Sequence, residues 1–332
     1  MTEAVQESKQ APWSFAEPWG GKSYVSDLGG PVHWVDFGGT ASGPPIVLVH
    51  GLGGSHLNWV RIAPGLAQRT RVLALDLTGF GLTAADGRST SVQANARLLD
   101  HFVCEIAGGP AVLIGNSMGG MISVLHSHAH PDSVAGLVLV DPALPTPRQR
   151  PDLQVAGEFL LYAIPFVGER YLALGRRRLS DRQLVQRVVD LCFADPARAS
   201  EAVTKAGTAL AGHRRTVPGQ EAAFLQAARS LIWVLGRPGA YRTMMRNLDL
   251  PVLLIHGERD RLVPVAAARR AAADNPDWDS VILPDVGHTP QLESPELVVE
   301  SILDWLDRHE LSSPGAPVDS VSERRDDPPN KA

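Results

Sequence analysis

Seven short apolar runs recur along the chain. They are VHWVDF from Val32, PPIVLVH from Pro44, RVLALDL from Arg71, AVLIGNS from Ala111, GLVLVDP from Gly136, PVLLIHG from Pro251 and SVILPDV from Ser280. Most are unbroken stretches of Val, Ile and Leu, the pattern of strands buried on both faces. Between them apolar residues recur three and four apart, which predicts helices over Ser91–Ala107, Met118–His128, Val265–Ala273 and Pro295–Arg308. Strand and helix in alternation predict an α/β fold with a mostly parallel sheet and helices on both faces. The first two strands, near Tyr24 and Val32, have no helix between them and are expected to pair as an antiparallel hairpin at one edge.

One interval breaks this rhythm. From Asp141 to Pro251 the chain is helical in pattern, with GEFLLYAIPFVGERYLALGRR, SDRQLVQRVVDLCFA, SEAVTKAGTALAG and QEAAFLQAARSLIWVLG separated by Pro and Gly. An insertion of that size is expected to cover a functional site. The domain expectation is therefore a core of 13–141 and 247–310, with 142–246 as an inserted all-helical lid. Residues 1–12 and 311–332 are polar, Pro- and Ser-rich segments expected to be disordered tails.

Composition narrows the function classes. The 332 residues carry 31 Lys and Arg against 36 Asp and Glu, a formal charge of −5, which leaves no basic footprint for nucleic acid. Cys104 and Cys192 lack ligand spacing and are too few for a disulfide framework. No apolar run reaches the length of a membrane span, and MTEAVQESKQAPW has no apolar signal core. The expectation is a cytoplasmic protein that acts on a small-molecule substrate, without a cofactor, and whose oligomeric state is not legible.

Four loops carry candidate chemistry, each at the carboxyl end of a predicted strand. Gly115-Asn116-Ser117-Met118-Gly119 follows AVLI and precedes a helix, so its glycines permit a tight turn that lifts the Ser117 hydroxyl out of the sheet end. His50-Gly51-Leu52-Gly53-Gly54-Ser55 is a Gly-rich loop without the spacing of a phosphate cradle or dinucleotide site. The N–H groups of Leu52 and Met118 are the candidate oxyanion donors, and His50 reads as a loop-fixing residue rather than a base. Asp260 after PVLLIHG and His288 after SVILPDV supply the remaining roles. His288 takes the Ser117 proton, and Asp260 fixes its tautomer and stabilises the imidazolium.

With Ser117, Asp260 and His288 in that chain order, the sequence resembles a serine hydrolase of the α/β-hydrolase superfamily with a helical lid, from about Tyr24 to Glu310. Asp76-Leu77-Thr78-Gly79-Phe80-Gly81 resembles the family's D-x-x-G-x-G loop, and GHTPQLESPE its histidine loop. The resemblance implies an eight-stranded sheet with the insertion after the sixth strand. With an apolar helical insertion above Ser117, the expectation is cleavage of carboxylic esters of small to medium apolar substrates through an acyl-enzyme. Haloalkane dehalogenases and epoxide hydrolases share these loops with Asp as nucleophile, so neither chemistry is expected of Ser117. GNSMGG is also similar to C–C hydrolases of vinylogous diketones, which usually carry HGGGPG and a Trp after the catalytic His. This chain has HGLGGS and Thr289. A hydrolase-like fold that only binds a ligand is the remaining alternative.

The substrate pocket is expected to draw on Gly51, Gly53, Phe80, Asn116, Phe159, Tyr162 and Trp233. No metal site is expected. In His126-Ser127-His128-Ala129-His130 the first and last share a helix face while His128 points away, which reads as a solvated helix terminus. Asp141 is a second candidate for the acid, Asp285 reads as a turn residue, and Arg176-Arg177-Arg178 reads as a solvated helix end.

Overall fold

The computed structural model describes residues 8–11, 14–40, 43–146, 157 and 161–311. The seven apolar runs become β3 (Pro31–Asp36), β4 (Ile46–Val49), β5 (Val72–Leu75), β6 (Ala111–Asn116), β7 (Val134–Val140), β8 (Val252–Gly257) and β9 (Asp279–Leu283), preceded by β1 (Lys9–Gln10) and β2 (Lys22–Asp27). They form one nine-stranded sheet in the order β1-β2-β3-β5-β4-β6-β7-β8-β9. The pairs from β5–β4 to β8–β9 are parallel, and the pairs among β1, β2, β3 and β5 are antiparallel. The expected hairpin is β2–β3, but it is not the edge. Lys9 and Gln10 pair with Val25 and Tyr24, so the polar N-terminal segment contributes a ninth strand where an unbroken tail to residue 12 was expected. Backbone pairing to an open sheet edge needs no apolar side chain, which is why hydropathy missed it.

Continuous apolar runs reflect two cores. Val47 and Val49 of β4, Leu113 of β6 and Leu254 of β8 pack on one face with Leu98, Leu99 and Phe102. Ile46, Leu48, Val112, Ile114, Leu253 and Ile255 pack on the other with Trp305, Ile302 and Leu66. Successive strand residues point to opposite faces, so a strand covered on both sides has no position to spare for a polar residue. The helices that cover it include α1 (Val92–Phe102), capped by Ser91, and α2 (Met118–Ala129).

Between β7 and β8 the chain forms α3 (Val167–Arg178), α4 (Asp181–Cys192), α5 (Glu201–Arg215), α6 (Gln220–Leu235) and α7 (Pro238–Arg246). Ser180 and Gln183 make a reciprocal capping box at α4, and Ser200 caps α5. The insertion docks through polar contacts, the Gln226 side chain accepting from Thr90 N–H at 2.6 Å and Thr90 Oγ1 donating to the Ala223 carbonyl at 2.7 Å. The chain continues through α8 (Val265–Asp274) and α9 (Pro295–Arg308). Among the described residues no helix is long and apolar enough to cross a membrane.

Candidate active site

Ser117 joins β6 to α2 with φ 54° and ψ −117°. A residue with a Cβ held there costs roughly 1–3 kcal/mol, so the surroundings must impose it. They do: its N–H donates to the Val140 carbonyl at 3.2 Å, and its carbonyl accepts from Ala143 N–H at 2.9 Å. The flanking glycines are required by close approach. A Cβ on Gly119 would lie 2.1 Å from the Val49 carbonyl oxygen, and one on Gly115 2.6 Å from that of Gly119. The helix start is thereby pressed against the end of β4, with Ser117 at the tip.

The Gly-rich loop after β4 lies beside it. A Cβ on Gly51 would come within 3.0 Å of the Ser117 Cβ. His50 is fully buried; its Nδ1–H donates to the Gly51 carbonyl at 2.8 Å and its Nε2 accepts from Leu77 N–H at 3.1 Å. Carbonyl and N–H partners fix a neutral tautomer, and burial lowers this imidazole to about 4. His50 therefore shapes the loop and is no base. Among the described residues the Leu52 N–H donates to no backbone group, and Met118, as first residue of α2, has no intrahelical acceptor.

His288 Nδ1 lies 2.7 Å from Asp260 Oδ2, and both residues are buried. Asp260 Oδ1 accepts from the N–H groups of Leu262 and Val263 at 2.7 and 2.9 Å. Burial works to raise the Asp260 carboxyl, but His288, and after it His256 and Asp141, outweigh it and hold it below the ordinary carboxylate range. Asn116, expected in the pocket, also acts as a tether. Its buried Nδ2 donates to the Val140 and His288 carbonyls at 3.0 and 3.1 Å, tying the Ser117 turn to the histidine loop. The insertion holds that loop from above: His288 N–H donates to the Cys192 carbonyl at 2.6 Å. Glu293, which sequence reasoning passed over, accepts from the N–H groups of Gly287, Ala194 and Asp195 at 2.7, 3.1 and 2.9 Å. Among the described residues no hydrogen bond joins Ser117 Oγ to His288; such contacts are often long in unliganded sites.

Asp141 lies at the end of β7, fully buried, close enough to Asp260 that their oxygens and a nitrogen of His256 fall within 4.8 Å. Its Oδ1 accepts one N–H, from Gly257 at 3.0 Å, and among the described residues its Oδ2 has no hydrogen-bond partner. Burial, and then the charge of Asp260, push the Asp141 carboxyl well above its usual range. Of the two candidate acids, the one with three donors is ionised and bonded to His288. Asp260 is committed to His288, and His256 Nε2 to the Val263 carbonyl at 2.9 Å, so the ligand atoms of this cluster are already engaged within the protein.

Phe80 and Trp233, both expected in the pocket, differ in exposure. Phe80 is fully buried beneath the Gly-rich loop, edge-on to His50 at 5.8 Å between ring centroids. Trp233 is 53% exposed, its ring covered by the Arg237 guanidinium at 3.6 Å, because α6 turns Ala227, Leu231 and Val234 inward. Phe159 lies outside the described residues. Gly53 and Tyr162 are brought together through Phe224: its ring would meet a Cβ on Gly53 at 3.3 Å and stands edge-on to Tyr162 at 5.2 Å. Arg176, expected to be solvated, pairs with Glu221.

Arg214 was not legible from sequence. From the end of α5 its guanidinium reaches the carbonyls of Gly53 and Gly79, both at 3.4 Å, and is held by Gln220 at 2.7 and 3.0 Å. The adjacent Arg215 pairs with Asp181 and Arg229 with Glu169, whereas Arg214 has no carboxylate within ion-pair distance among the described residues. Burial lowers it to about 10, still a cation at neutral pH.

Residues 46–301, which contain this whole constellation, match the family model described as the alpha/beta hydrolase family. The chain is 30% identical over 294 residues to the dihydrolipoyllysine-residue acetyltransferase component of the acetoin cleaving system of Pseudomonas putida, covering 86% of this chain and 69% of that protein. It is 27% identical over 272 residues to 2-hydroxy-6-oxo-6-(2'-aminophenyl)hexa-2,4-dienoic acid hydrolase of Metapseudomonas resinovorans, covering 80% and 85%. A thermophilic esterase from Thermogutta terrifontis, solved with malate bound, superposes with a TM-score of 0.64 at 24% identity, covering 86% of this chain and 97% of that one, a likeness of fold.

Proposed function

Because the chain belongs to the alpha/beta hydrolase family, we propose that it is a serine hydrolase that cleaves carboxylic esters through an acyl-enzyme. The observation that carries this reading is the His288–Asp260 pair, tethered through Asn116 to the strained turn that presents Ser117. Ser117 Oγ attacks the ester carbonyl as His288 Nε2 takes its proton, and the N–H groups of Leu52 and Met118 receive the developing oxyanion. His288 then passes the proton to the leaving alkoxide. Water, deprotonated by His288, releases the acid. The reading is tested against p-nitrophenyl esters from acetate to palmitate: turnover supports it, and the absence of turnover on the whole series counts against it.

Asp260 is proposed as the acid of the relay. Asp260→Asn is expected to lower kcat by about 10⁴-fold, because the amide imposes the wrong His288 tautomer. Asp141→Asn is expected to stay within about tenfold of wild type, since an amide resembles a protonated carboxyl in shape. Steady-state kinetics of the two variants decide the matter, and the reverse order of losses transfers the role to Asp141.

Arg214 favours a second reading of the substrate. A half-buried cation against the Gly53 carbonyl, with no carboxylate at ion-pair distance among the described residues, suits a substrate that carries a carboxylate. That chemistry fits C–C cleavage of an acid-bearing vinylogous diketone, and the similar Metapseudomonas resinovorans protein is a dienoic acid hydrolase by name. Arg214→Met is expected to cost a carboxylate-bearing substrate about 1.5–3 kcal/mol, or some ten- to hundredfold in kcat/KM, while neutral esters change little. Equal losses on both substrate classes place Arg214 in loop support instead. A diketone preferred by more than about a hundredfold over the best ester replaces the ester assignment.

A further inference from the structure

Asp100 of α1 meets His126 and His130, at the far end of α2 from Ser117, where the two helices pack side by side. At 1.5 Å per residue this lies roughly 15 Å from the nucleophile along the helix. His126 is 1% exposed, yet its Nδ1 has no hydrogen-bond partner. Its neighbours fix the tautomer. The Ser133 hydroxyl donates to the His130 carbonyl at 2.8 Å, so its oxygen receives the proton of His126 Nε2 at 3.0 Å. Nδ1 therefore presents a bare lone pair.

That lone pair faces Asp100 Oδ1 at 3.9 Å, an acceptor opposite an acceptor. His130 Nδ1 lies 3.5 Å from the same oxygen, its ring stacked on His126 at 5.3 Å. All three atoms fall within 4.8 Å of one another. Around a tetrahedral Zn²⁺ with bonds of about 2.0–2.1 Å, ligand atoms stand about 3.3 Å apart, so modest closure brings these three into place. The Asp100 and His130 side chains are 30% and 48% exposed, which leaves an ion a path from solvent, and a helix C-terminus favours a cation. Among the described residues, two further groups of this kind are buried and committed elsewhere. Asp260 binds His288, and Asp76 accepts from both His33 and His56.

We propose that Asp100, His126 and His130 form a three-ligand site for a divalent first-row cation of the Zn²⁺ class, with water in the fourth position. Two imidazoles and one carboxylate are the borderline donor set that such ions take. This departs from the solvated helix end expected from the His run, because folding buries His126 and brings in Asp100 from another helix.

The test is titration calorimetry of tag-free, full-length protein with Zn²⁺, alongside the visible spectrum with Co²⁺. A Cys104→Ser background removes the exposed thiol one turn beyond Asp100. One ion per chain and a tetrahedral Co²⁺ spectrum are expected. Affinity should fall by more than the ten- to hundredfold typical of losing an outer-shell partner in Asp100→Asn and in His130→Ala, both partly exposed and so tolerant of change. No saturable binding, or equal affinity in wild type and both variants, overturns the site.

Discussion

Ser117→Ala is expected to lower kcat/KM for an activated ester by about 10⁴- to 10⁶-fold, with the protein folded and as stable as wild type. The loss is large because nucleophile, base and acid act as one unit. Without Oγ no acyl-enzyme forms, and only the oxyanion donors and the pocket remain. His288→Ala should fall as far, and the double variant hardly further, because each single change already abolishes the same covalent step. Stability should hold or rise, since alanine also carries a Cβ at φ 54° but leaves no hydroxyl to desolvate. Retention of more than about 1% of wild-type activity in either single variant, with contaminating esterases excluded, contradicts the assigned chemistry.

The second large effect is on stability. Asp76 is fully buried and accepts from His33 Nδ1 at 2.8 Å, His56 Nδ1 at 2.9 Å and the N–H groups of His56 and Leu82 at 2.7 and 2.8 Å. His56 Nε2 also faces an acceptor, the Ser14 carbonyl at 2.7 Å, so both its nitrogens donate and the ring is an imidazolium. Burial alone would lower His56 and raise Asp76. Their mutual attraction outweighs it, raising His56 above 6.5 and holding Asp76 well below 3.8. Breaking one side of a buried pair costs about 3–5 kcal/mol, the loss expected for Asp76→Asn in urea denaturation at pH 6. Because the folded value of His56 is raised, its contribution is complete below 6.5 and is lost as pH rises through that raised value. Because that of Asp76 is depressed, its contribution is complete above 3.8 and is lost as pH falls through the lower value. The Asp76→Asn protein should lose both limbs of this dependence. A stability change below about 1 kcal/mol would show that the network is dispensable.

How much of this was legible depended on whether a residue's role is local. The strand ends were legible because burial on both faces forces unbroken Val, Ile and Leu runs, and the chemistry follows each run within a few residues. Ser117, His50 and the glycines around them declared themselves through a turn that only small residues permit. The partner of His288 was less local. Asp260 and Asp141 both follow buried strands, and only folding shows that three donors converge on one and a single N–H on the other. Arg214 and Arg215 are neighbours of identical type, so no sequence pattern separates the cation over the Gly-rich loop from the one paired with Asp181. Neither the exposure of Trp233 nor the burial of Phe80 was legible, since an aromatic's side of a helix or loop is set by what packs against it. The tethering bonds of Asn116 were not legible, because its two carbonyl partners come from β7 and the histidine loop.

The most direct test of the central claim, that Ser117 is an activated nucleophile, is fluorophosphonate labelling of the native protein followed by peptide mapping. The account predicts a single adduct on the peptide carrying Gly115-Asn116-Ser117-Met118-Gly119, formed by the wild type and lost in Ser117→Ala and His288→Ala. An adduct on any other residue, or none on folded wild-type protein, would contradict it.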